Sequence, residues 1–234
     1  MVYIHGGSFM LGGYIGAGAG KMLERDMVLV EMQYRVGPLG FMCLPDDEIA
    51  GNMGLLDQNL ALKWVHEHIT SFGGDPDRVT IMGEYAGSAS VTYHMISPLS
   101  TRKSSHISQC HSTITHVTAY FQQAIAESGS ALSSWAFDSE PEKHAKDIAG
   151  HYLGCPTDFT AELVNCLKNE KTAADVVIAH KKYYVRYLYT LSSFNTDPIR
   201  LQREKQQGWA LEDQFLVPRG MELKSSSQSI QSNT

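Results

Sequence analysis

A glycine-framed segment at residues 83–87, Gly-Glu-Tyr-Ala-Gly, has the layout of a nucleophile elbow. In a Gly-x-Ser-x-Gly elbow the nucleophile occupies a strained turn between a strand and a helix, and the glycines let the surrounding backbones pass closely. The apolar run 79–82 precedes the segment, and the helix-compatible stretch 88–96 follows it. The pattern therefore predicts a strand, a sharp turn and a helix. Tyr85 stands where a nucleophilic serine is expected.

A second motif lies near the start of the chain, where His-Gly-Gly-Ser-Phe at 5–9 follows the apolar run 1–5. Its composition and place are those of a loop that directs backbone N–H groups at a developing oxyanion. The two motifs support each other, because acyl transfer needs both a nucleophile at a turn and donors that stabilise negative charge.

Composition and charge exclude several other kinds of function. The 234 residues include 19 Lys and Arg against 25 Asp and Glu, a net charge of −6, which gives no basic footprint for nucleic acid or an anionic membrane. The hydrophobic fraction of 43% is that of an ordinary globular chain. No segment approaches the ~20 apolar residues of a membrane-spanning helix. The start lacks the basic region of a signal peptide, and its methionine inside a strand pattern predicts missing upstream sequence.

Short apolar runs alternate with helical stretches, which predicts βα units and a largely parallel sheet. The predicted strands are 1–5, 28–34, 79–82 and 124–127, the second and third rich in β-branched residues as in strands buried on both faces. The clearest predicted helix is 55–69, and its expected apolar stripe consists of Leu55, Leu56, Leu60, Leu62, Val65 and Ile69. Later helices are predicted at 141–153, with Ser139 as its cap, at 160–168 and at 172–182.

Taken together and in order, these motifs resemble the type-B carboxylesterase and cholinesterase family. The matching segments are 5–9, 34–41, 51–58, 72–76, 83–87 and 124–130. The resemblance predicts a partial carboxylesterase domain over 1–220. Within it, the Ser-, Thr- and His-rich stretch 101–119 is a non-matching loop or insertion. Residues 221–234 are predicted to form a disordered tail.

The resemblance implies an incomplete α/β-hydrolase fold: the central part of a mostly parallel sheet with helices on both faces. It also implies ester hydrolysis through an acyl-enzyme, with a small-molecule ester as substrate and no cofactor or metal. The implied oxyanion donors are the backbone N–H groups of Gly7, Ser8 and Ala86, and Gly6 permits the turn of the loop. The family's catalytic acid and histidine follow the nucleophile on later strands, which this chain does not match.

Tyr85 changes what the resemblance implies for activity. A tyrosine hydroxyl lies a whole ring farther from the backbone than a serine hydroxyl, so it cannot occupy the same point. The ring is expected to fill the acyl pocket instead, and a positive φ at this residue should cost about 1–2 kcal/mol. With serine, acid and histidine absent, the chain is expected to be inactive. His180, in a helical stretch, is a weak candidate for a catalytic base.

Three hypotheses remain open at this point. The chain is a non-catalytic esterase-like module resembling extracellular adhesion proteins, with a protein as partner; or it is a fragment or erroneous copy of an active ester hydrolase; or it is a pseudogene product without an independent role. The four predicted strands would in each case lie side by side with both sheet edges exposed, which predicts a destabilised half-domain.

Other residues have one functional and one structural reading each. Glu84 either tunes the site or serves as a structural carboxylate, and His5 is expected to organise its loop. His106, His111 and His116 recur at five-residue intervals, which is not a common zinc spacing, so no metal site is predicted.

The resemblance also implies a small disulfide loop between Cys155 and Cys166. Such a bridge forms in an oxidising compartment, which suits a secreted or extracellular protein. Cys43 and Cys110 have no evident partner.

Overall fold

In the computed structural model the described residues are 1–13, 19–45, 49–102, 117–118, 120–193, 209–212 and 215–218. The chain comprises two units, Met1–Tyr183 and Tyr184–Thr234. The strands, in chain order, are β1 (Val2–Ile4), β2 (Val30–Met32), β3 (Thr80–Glu84), β4 (Thr101–Arg102), β5 (Val117–Thr118), β6 (Gln123–Glu127), β7 (Trp209–Glu212) and β8 (Phe215–Pro218).

The helices alternate with these strands as the sequence predicts. They are α1 (Ala19–Met22), α2 (Gly37–Phe41), α3 (Met53–His68), α4 (Ala86–Ile96), α5 (Pro141–Leu153), α6 (Thr160–Asn165) and α7 (Ala173–Ser193). Tight turns at Ile69–Phe72 and Pro76–Arg78 separate α3 from β3, and a wider π turn at Cys166–Glu170 follows α6. Within the described ranges no helix is long and apolar enough to cross a membrane.

The first unit is built on a four-stranded sheet in the order β2-β1-β3-β6, with each neighbouring pair parallel. This arrangement confirms the predicted α/β fold and places a strand in each of the four predicted ranges. In the central pair, Ile4 of β1 lies opposite Gly83 of β3. Because parallel strands end at the same edge, the loop after β1 and the elbow after β3 leave the sheet side by side.

The core of this unit lies between the sheet and two helices. Val2 and Ile4 of β1 and Ile81 of β3 are fully buried, and they pack with apolar residues of α3 and with Val91 of α4. The predicted α3 stripe is wrong in part: Leu62, Val65 and Ile69 are buried, whereas Leu56 and Leu60 are 49% and 65% exposed. The buried face instead runs through Gly54 and Gln58, because a partnered amide can replace an aliphatic side chain in the core.

The two outer strands of the sheet, β2 and β6, are incompletely covered. The residues of β2 are half-buried apart from buried Met32, and all five residues of β6 are exposed. The interpretation of 28–34 as a strand buried on both faces is therefore wrong, since β-branched content reports strand propensity rather than cover. The predicted loop or insertion at 101–119 begins and ends with the antiparallel pair of β4 and β5, and 103–116 and 119 lie outside the described residues.

A second apolar cluster joins α5, α6 and the start of α7. A disulfide between Cys155 and Cys166 crosses it and confirms the bridge implied by the resemblance. The N-cap of α5 is Glu140, not the predicted Ser139; Asp138 provides the nearby acceptor, taking a hydrogen bond from the Glu140 amide at 2.9 Å. In the second unit, β7 and β8 pair in antiparallel fashion, and the predicted disordered tail, 221–234, is outside the described residues.

Candidate active site

Tyr85 occupies the turn between β3 and α4 with φ of 56° and ψ of −111°. A positive φ is disfavoured for any residue with a Cβ, so the elbow is strained as the sequence predicts. Its backbone is held from both sides: the Tyr85 amide donates to the Glu127 carbonyl at 3.0 Å, and its own carbonyl accepts from the Ala89 amide at 3.0 Å.

The two glycines of the elbow are required by the packing of neighbouring backbones. A Cβ on Gly83 would collide with the backbone of Gly87, and a Cβ on Gly87 would collide with the Ile4 carbonyl of β1. The elbow helix can therefore approach the central strand only because both positions lack side chains.

The predicted oxyanion loop lies directly beside the elbow. Gly7, Ser8 and Phe9 all have positive φ, at 114°, 58° and 59°. The Gly7 carbonyl closes the turn by accepting from the Met10 amide at 2.9 Å. A Cβ built on Gly6 would lie 2.7 Å from the Glu84 carbonyl oxygen and 3.4 Å from the Tyr85 Cβ. The structure thus brings Gly6, Glu84 and Tyr85 together, while the donor roles of the Gly7, Ser8 and Ala86 amides stay predictions.

The side chain of Tyr85 reaches across to this loop. The hydroxyl of Ser8 donates to the phenol oxygen of Tyr85 at 3.3 Å. The ring packs on Trp135, with ring centroids 4.4 Å apart and an angle of 39° between the planes. The phenol oxygen therefore lies at the predicted oxyanion loop, displaced from the backbone turn by the length of the ring.

A cavity of about 500 Å³ lies beside two residues that the side chain of Tyr85 contacts. Ser8 and Trp135, which the side chain of Tyr85 contacts, form part of its wall, and apolar residues such as Phe9, Phe41 and Leu55 form much of the rest. Its volume is in the range of small-molecule sites.

His5 organises the loop, as predicted. Its ring is buried and stacks on Tyr34 with centroids 4.2 Å apart, its Nδ1 lies 2.8 Å from the Gly6 carbonyl oxygen, and the Tyr34 hydroxyl donates to the His5 carbonyl at 2.8 Å. Burial raises the pKa of the Tyr34 phenol, so this donor keeps its proton at neutral pH. Glu84, by contrast, is exposed.

An ion pair that sequence reasoning missed joins the segments 34–41 and 51–58. Arg35 donates from Nε and a terminal nitrogen to the two carboxylate oxygens of Asp57, each at 2.8 Å, and its amide donates to the same group at 3.0 Å. The Arg35 hydrogen bond lowers the pKa of Asp57. The sequence offered one signal for this ion pair: two segments that both match the family contain opposite charges.

A buried polar network beneath the elbow was also missed. His94 of α4 lies 3.0 Å from the Gln58 amide oxygen and 2.9 Å from the Ser100 hydroxyl, and Gln58 donates to Ser90 at 3.1 Å. Ser90 in turn donates to the Ala86 carbonyl at 3.0 Å, which connects the network to the first turn of the elbow helix. Burial lowers the pKa of His94 to about 4. The sequence signal for this network was the presence of polar residues on helix faces that are otherwise apolar.

Two further histidines line the cavity. Nδ1 of His144 lies 2.8 Å from a carboxylate oxygen of Asp138, a pair without a recognisable sequence spacing. His180, the weak candidate for a base, is in the cavity wall, and burial lowers its pKa.

His106, His111, His116 and Cys110 lie outside the described residues. The thiol of Cys43 donates to the Ala50 carbonyl at 3.4 Å, away from the disulfide. In the part of the chain that the structure describes, no group of three or more potential ligands could hold a metal ion.

Comparison with known proteins gives one consistent family. The carboxylesterase family model matches residues 1–199. Among similar proteins, a carboxylic ester hydrolase of Bombus ignitus is 41% identical over 171 residues, covering 72% of this chain and 27% of the relative. Bile salt-activated lipase of Rattus norvegicus is 40% identical over 177 residues, 72% of this chain and 26% of the relative.

An acetylcholinesterase of Myxine glutinosa is 42% identical over 172 residues, which is 71% of this chain and 46% of the relative. The chain thus spans about a quarter to a half of the length of these relatives.

Proposed function

The chain belongs to the carboxylesterase family, and from that premise we propose that it is a non-hydrolytic member that binds small molecules in the cavity beside the elbow. The family's chemistry is carboxylic ester hydrolysis. In this chain, Tyr85 replaces the serine that would carry the acyl group.

The contact between Tyr85 and Ser8 is the observation that carries this proposal. Acyl transfer needs the nucleophile and the oxyanion donors at about 3 Å from the same carbonyl group. The phenol oxygen lies 3.3 Å from the Ser8 hydroxyl, on the loop itself, and its ring is packed on Trp135. An ester carbonyl directed at the loop amides would meet the phenol, so the side chain obstructs the step that a serine would perform.

The retained backbone also supports a second candidate, an altered copy or fragment of an active ester hydrolase. The positive φ at position 85, the two close-packed glycines and the turn at Gly7 are the features that a serine elbow needs. They are costly to keep without function. Sequencing of transcripts across codon 85 separates the two candidates, because a serine codon there would replace the first with the second.

The disulfide supports a secreted or extracellular location for either candidate. Cys155 and Cys166 are both buried in the cluster between α5 and α6, and a bridge of this kind persists in oxidising compartments.

An activity assay tests the non-hydrolytic proposal. We expect the purified chain to release no more 4-nitrophenol from 4-nitrophenyl butyrate than its Tyr85→Ala variant, and we expect no adduct on residue 85 after treatment with a fluorophosphonate. Tyr152→Ala, which removes a tyrosine from α5 away from the elbow, is the matched control. Turnover that is lost in Tyr85→Ala but kept in Tyr152→Ala would overturn the proposal, as would a stoichiometric phosphonyl adduct on Tyr85.

A further inference from the structure

The wall of the cavity beside the elbow includes the imidazole of His144, which Asp138 holds in a fixed orientation. The ester hydrolysis described above gives this residue no role. His144 lies in the first turns of α5, and its Nδ1 is 2.8 Å from Oδ2 of Asp138. The other oxygen of Asp138 accepts from the Glu140 amide at 2.9 Å. The carboxylate is therefore fixed by the backbone at the start of α5, and it fixes the imidazole in turn.

This pairing decides which atom of His144 is left for a ligand. An ionised carboxylate only accepts hydrogen bonds, so Nδ1 must carry the hydrogen that it shares with Asp138. In the neutral ring, Nε2 is then a hydrogen-bond acceptor. Among the described residues no group is hydrogen bonded to Nε2, and His144 lines the cavity.

The rest of the wall sets the character of the ligand. Large apolar side chains line the cavity: Phe9, Phe41, Met42, Leu55, Trp135 and Phe137. Such a wall favours a ligand with an apolar, preferably aromatic, body.

Anionic ligands are disfavoured here. A carboxylate bound at His144 would lie beside the negative charge of Asp138. The second imidazole in the wall, His180, has its pKa lowered by burial, so it supplies no positive charge at neutral pH.

We propose that the cavity binds a neutral apolar alcohol or phenol, whose hydroxyl donates to Nε2 of His144, with Asp138 as the residue that positions the ring. The inference rests on the proposed function, because it gives a ligand class to a site that does not hydrolyse esters. An alcohol is also one of the two components of a carboxylic ester, the class of molecule on which the family acts.

Calorimetric titration with three matched ligands tests the inference: 4-propylphenol, its methyl ether 4-propylanisole, and 4-propylbenzoate. The phenol can donate to Nε2, the ether cannot, and the benzoate carries the disfavoured charge. We expect the phenol to bind about three- to tenfold more tightly than the ether, which is the range of one neutral hydrogen bond. The benzoate should bind more weakly than both.

Two variants on the same helix locate the effect. His144→Phe removes the acceptor but keeps an aromatic ring, so the preference for phenol over ether should fall to less than about twofold while the ether affinity stays within about twofold. His151→Phe makes the same change on the exposed part of α5, outside the cavity wall, and should leave the preference intact. Far-ultraviolet circular dichroism establishes that each variant is folded. If His144→Phe does not fold, His144→Leu, which also has no hydrogen-bond acceptor, replaces it in the same comparison.

The possible outcomes are distinct. Equal binding of phenol and ether to the unmodified chain, a preference that survives His144→Phe, tighter binding of the benzoate, or no binding by the folded chain would each overturn the inference. Hydrolysis of 4-propylphenyl acetate, abolished by Tyr85→Ala, would instead overturn the proposed function while the phenol titration still reports on the cavity.

Discussion

The Ser8 hydroxyl and the Tyr85 phenol oxygen lie 3.3 Å apart, although 77 residues separate them in the chain. The contact exists because β1 and β3 are parallel neighbours, so the loop after one strand and the elbow after the other meet at the same sheet edge. A strained turn therefore presents a side chain that contacts the loop after β1.

Substitutions at Tyr85 should separate the strain of the turn from the packing of the ring. Tyr85→Ala loses the ring contact with Trp135 and keeps a Cβ at φ of 56°, whereas Tyr85→Gly loses the ring but relieves the backbone. We expect the glycine variant to be more stable than the alanine variant by about 1 kcal/mol. Urea unfolding of the two proteins measures the difference. An alanine variant as stable as the glycine variant would mean that the elbow is not strained.

Stability should fall on acidification through the buried His94. Its folded-state pKa is about 4 against an ordinary value of 6.5. The unfolded chain therefore binds the proton first, and the free energy of unfolding decreases as the pH falls from about 6.5 towards about 4. The full effect is about 3 kcal/mol at ~1.4 kcal/mol per unit.

Urea unfolding at several pH values, on the chain and on His94→Gln, measures this contribution. The variant should be less stable at pH 7 and should show a shallower decline. The decline that remains is assigned in part to His180, whose pKa is lowered in the same direction. Identical pH slopes in the two proteins would remove His94 from the explanation.

The sequence was sufficient where local geometry and backbone packing dictate residue type. Gly83 and Gly87 are needed for the close approach of α4 to β1, so their spacing alone predicted the elbow and its positive φ. Likewise, the apolar runs predicted the four strands of the main sheet to within two residues at every end. The disulfide followed from the family resemblance rather than from the chemistry of Cys155 and Cys166.

The sequence was insufficient where a contact depends on tertiary structure. Leu56 and Leu60 look like core residues in a helical period, but Gln58 takes the core position because Ser90 and His94 supply its partners. The pairing of His144 with Asp138 depends on how the chain enters α5, which no residue spacing encodes.

The Arg35–Asp57 pair should stabilise the first unit more than an ordinary surface pair does. Its two parallel hydrogen bonds and the added backbone donor fix the geometry, although the Arg35 side chain is 53% exposed. We expect Asp57→Asn to lower the free energy of unfolding by about 1 kcal/mol. The matched control is Glu67→Gln, which removes the looser pair with Lys63 at 3.9 Å and should cost less than about 0.5 kcal/mol. Equal losses in both variants would contradict the prediction.

Removal of the disulfide should destabilise the cluster of α5, α6 and the start of α7. The bridged cysteines are 11 residues apart, and closing a loop of this size stabilises a fold by about 3 kcal/mol in the chain-entropy model. Replacing both cysteines by alanine should therefore lower the unfolding midpoint markedly, while Cys43→Ser, at a half-buried free thiol, should have a small effect. The comparison is made by thermal unfolding without reductant. A double variant that unfolds at the temperature of the parent chain would show that the bridge contributes nothing.

Replacing a glycine of the elbow by alanine should show whether close backbone packing requires a glycine there, or whether any glycine in this chain resists replacement. In Gly87→Ala the new Cβ would collide with the Ile4 carbonyl in the central strand β1, where the backbone is held by parallel partners on both sides and cannot move aside. We expect a loss of about 3 kcal/mol or more, or no folded protein. Gly20→Ala is the control: nothing lies within 4 Å of its added Cβ, and a helical position gains from alanine by about 0.5–1 kcal/mol. Soluble yield and urea unfolding of the two variants provide the measurement. A folded Gly87→Ala protein with the stability of the parent would show that α4 does not approach β1 as closely as the structure has it.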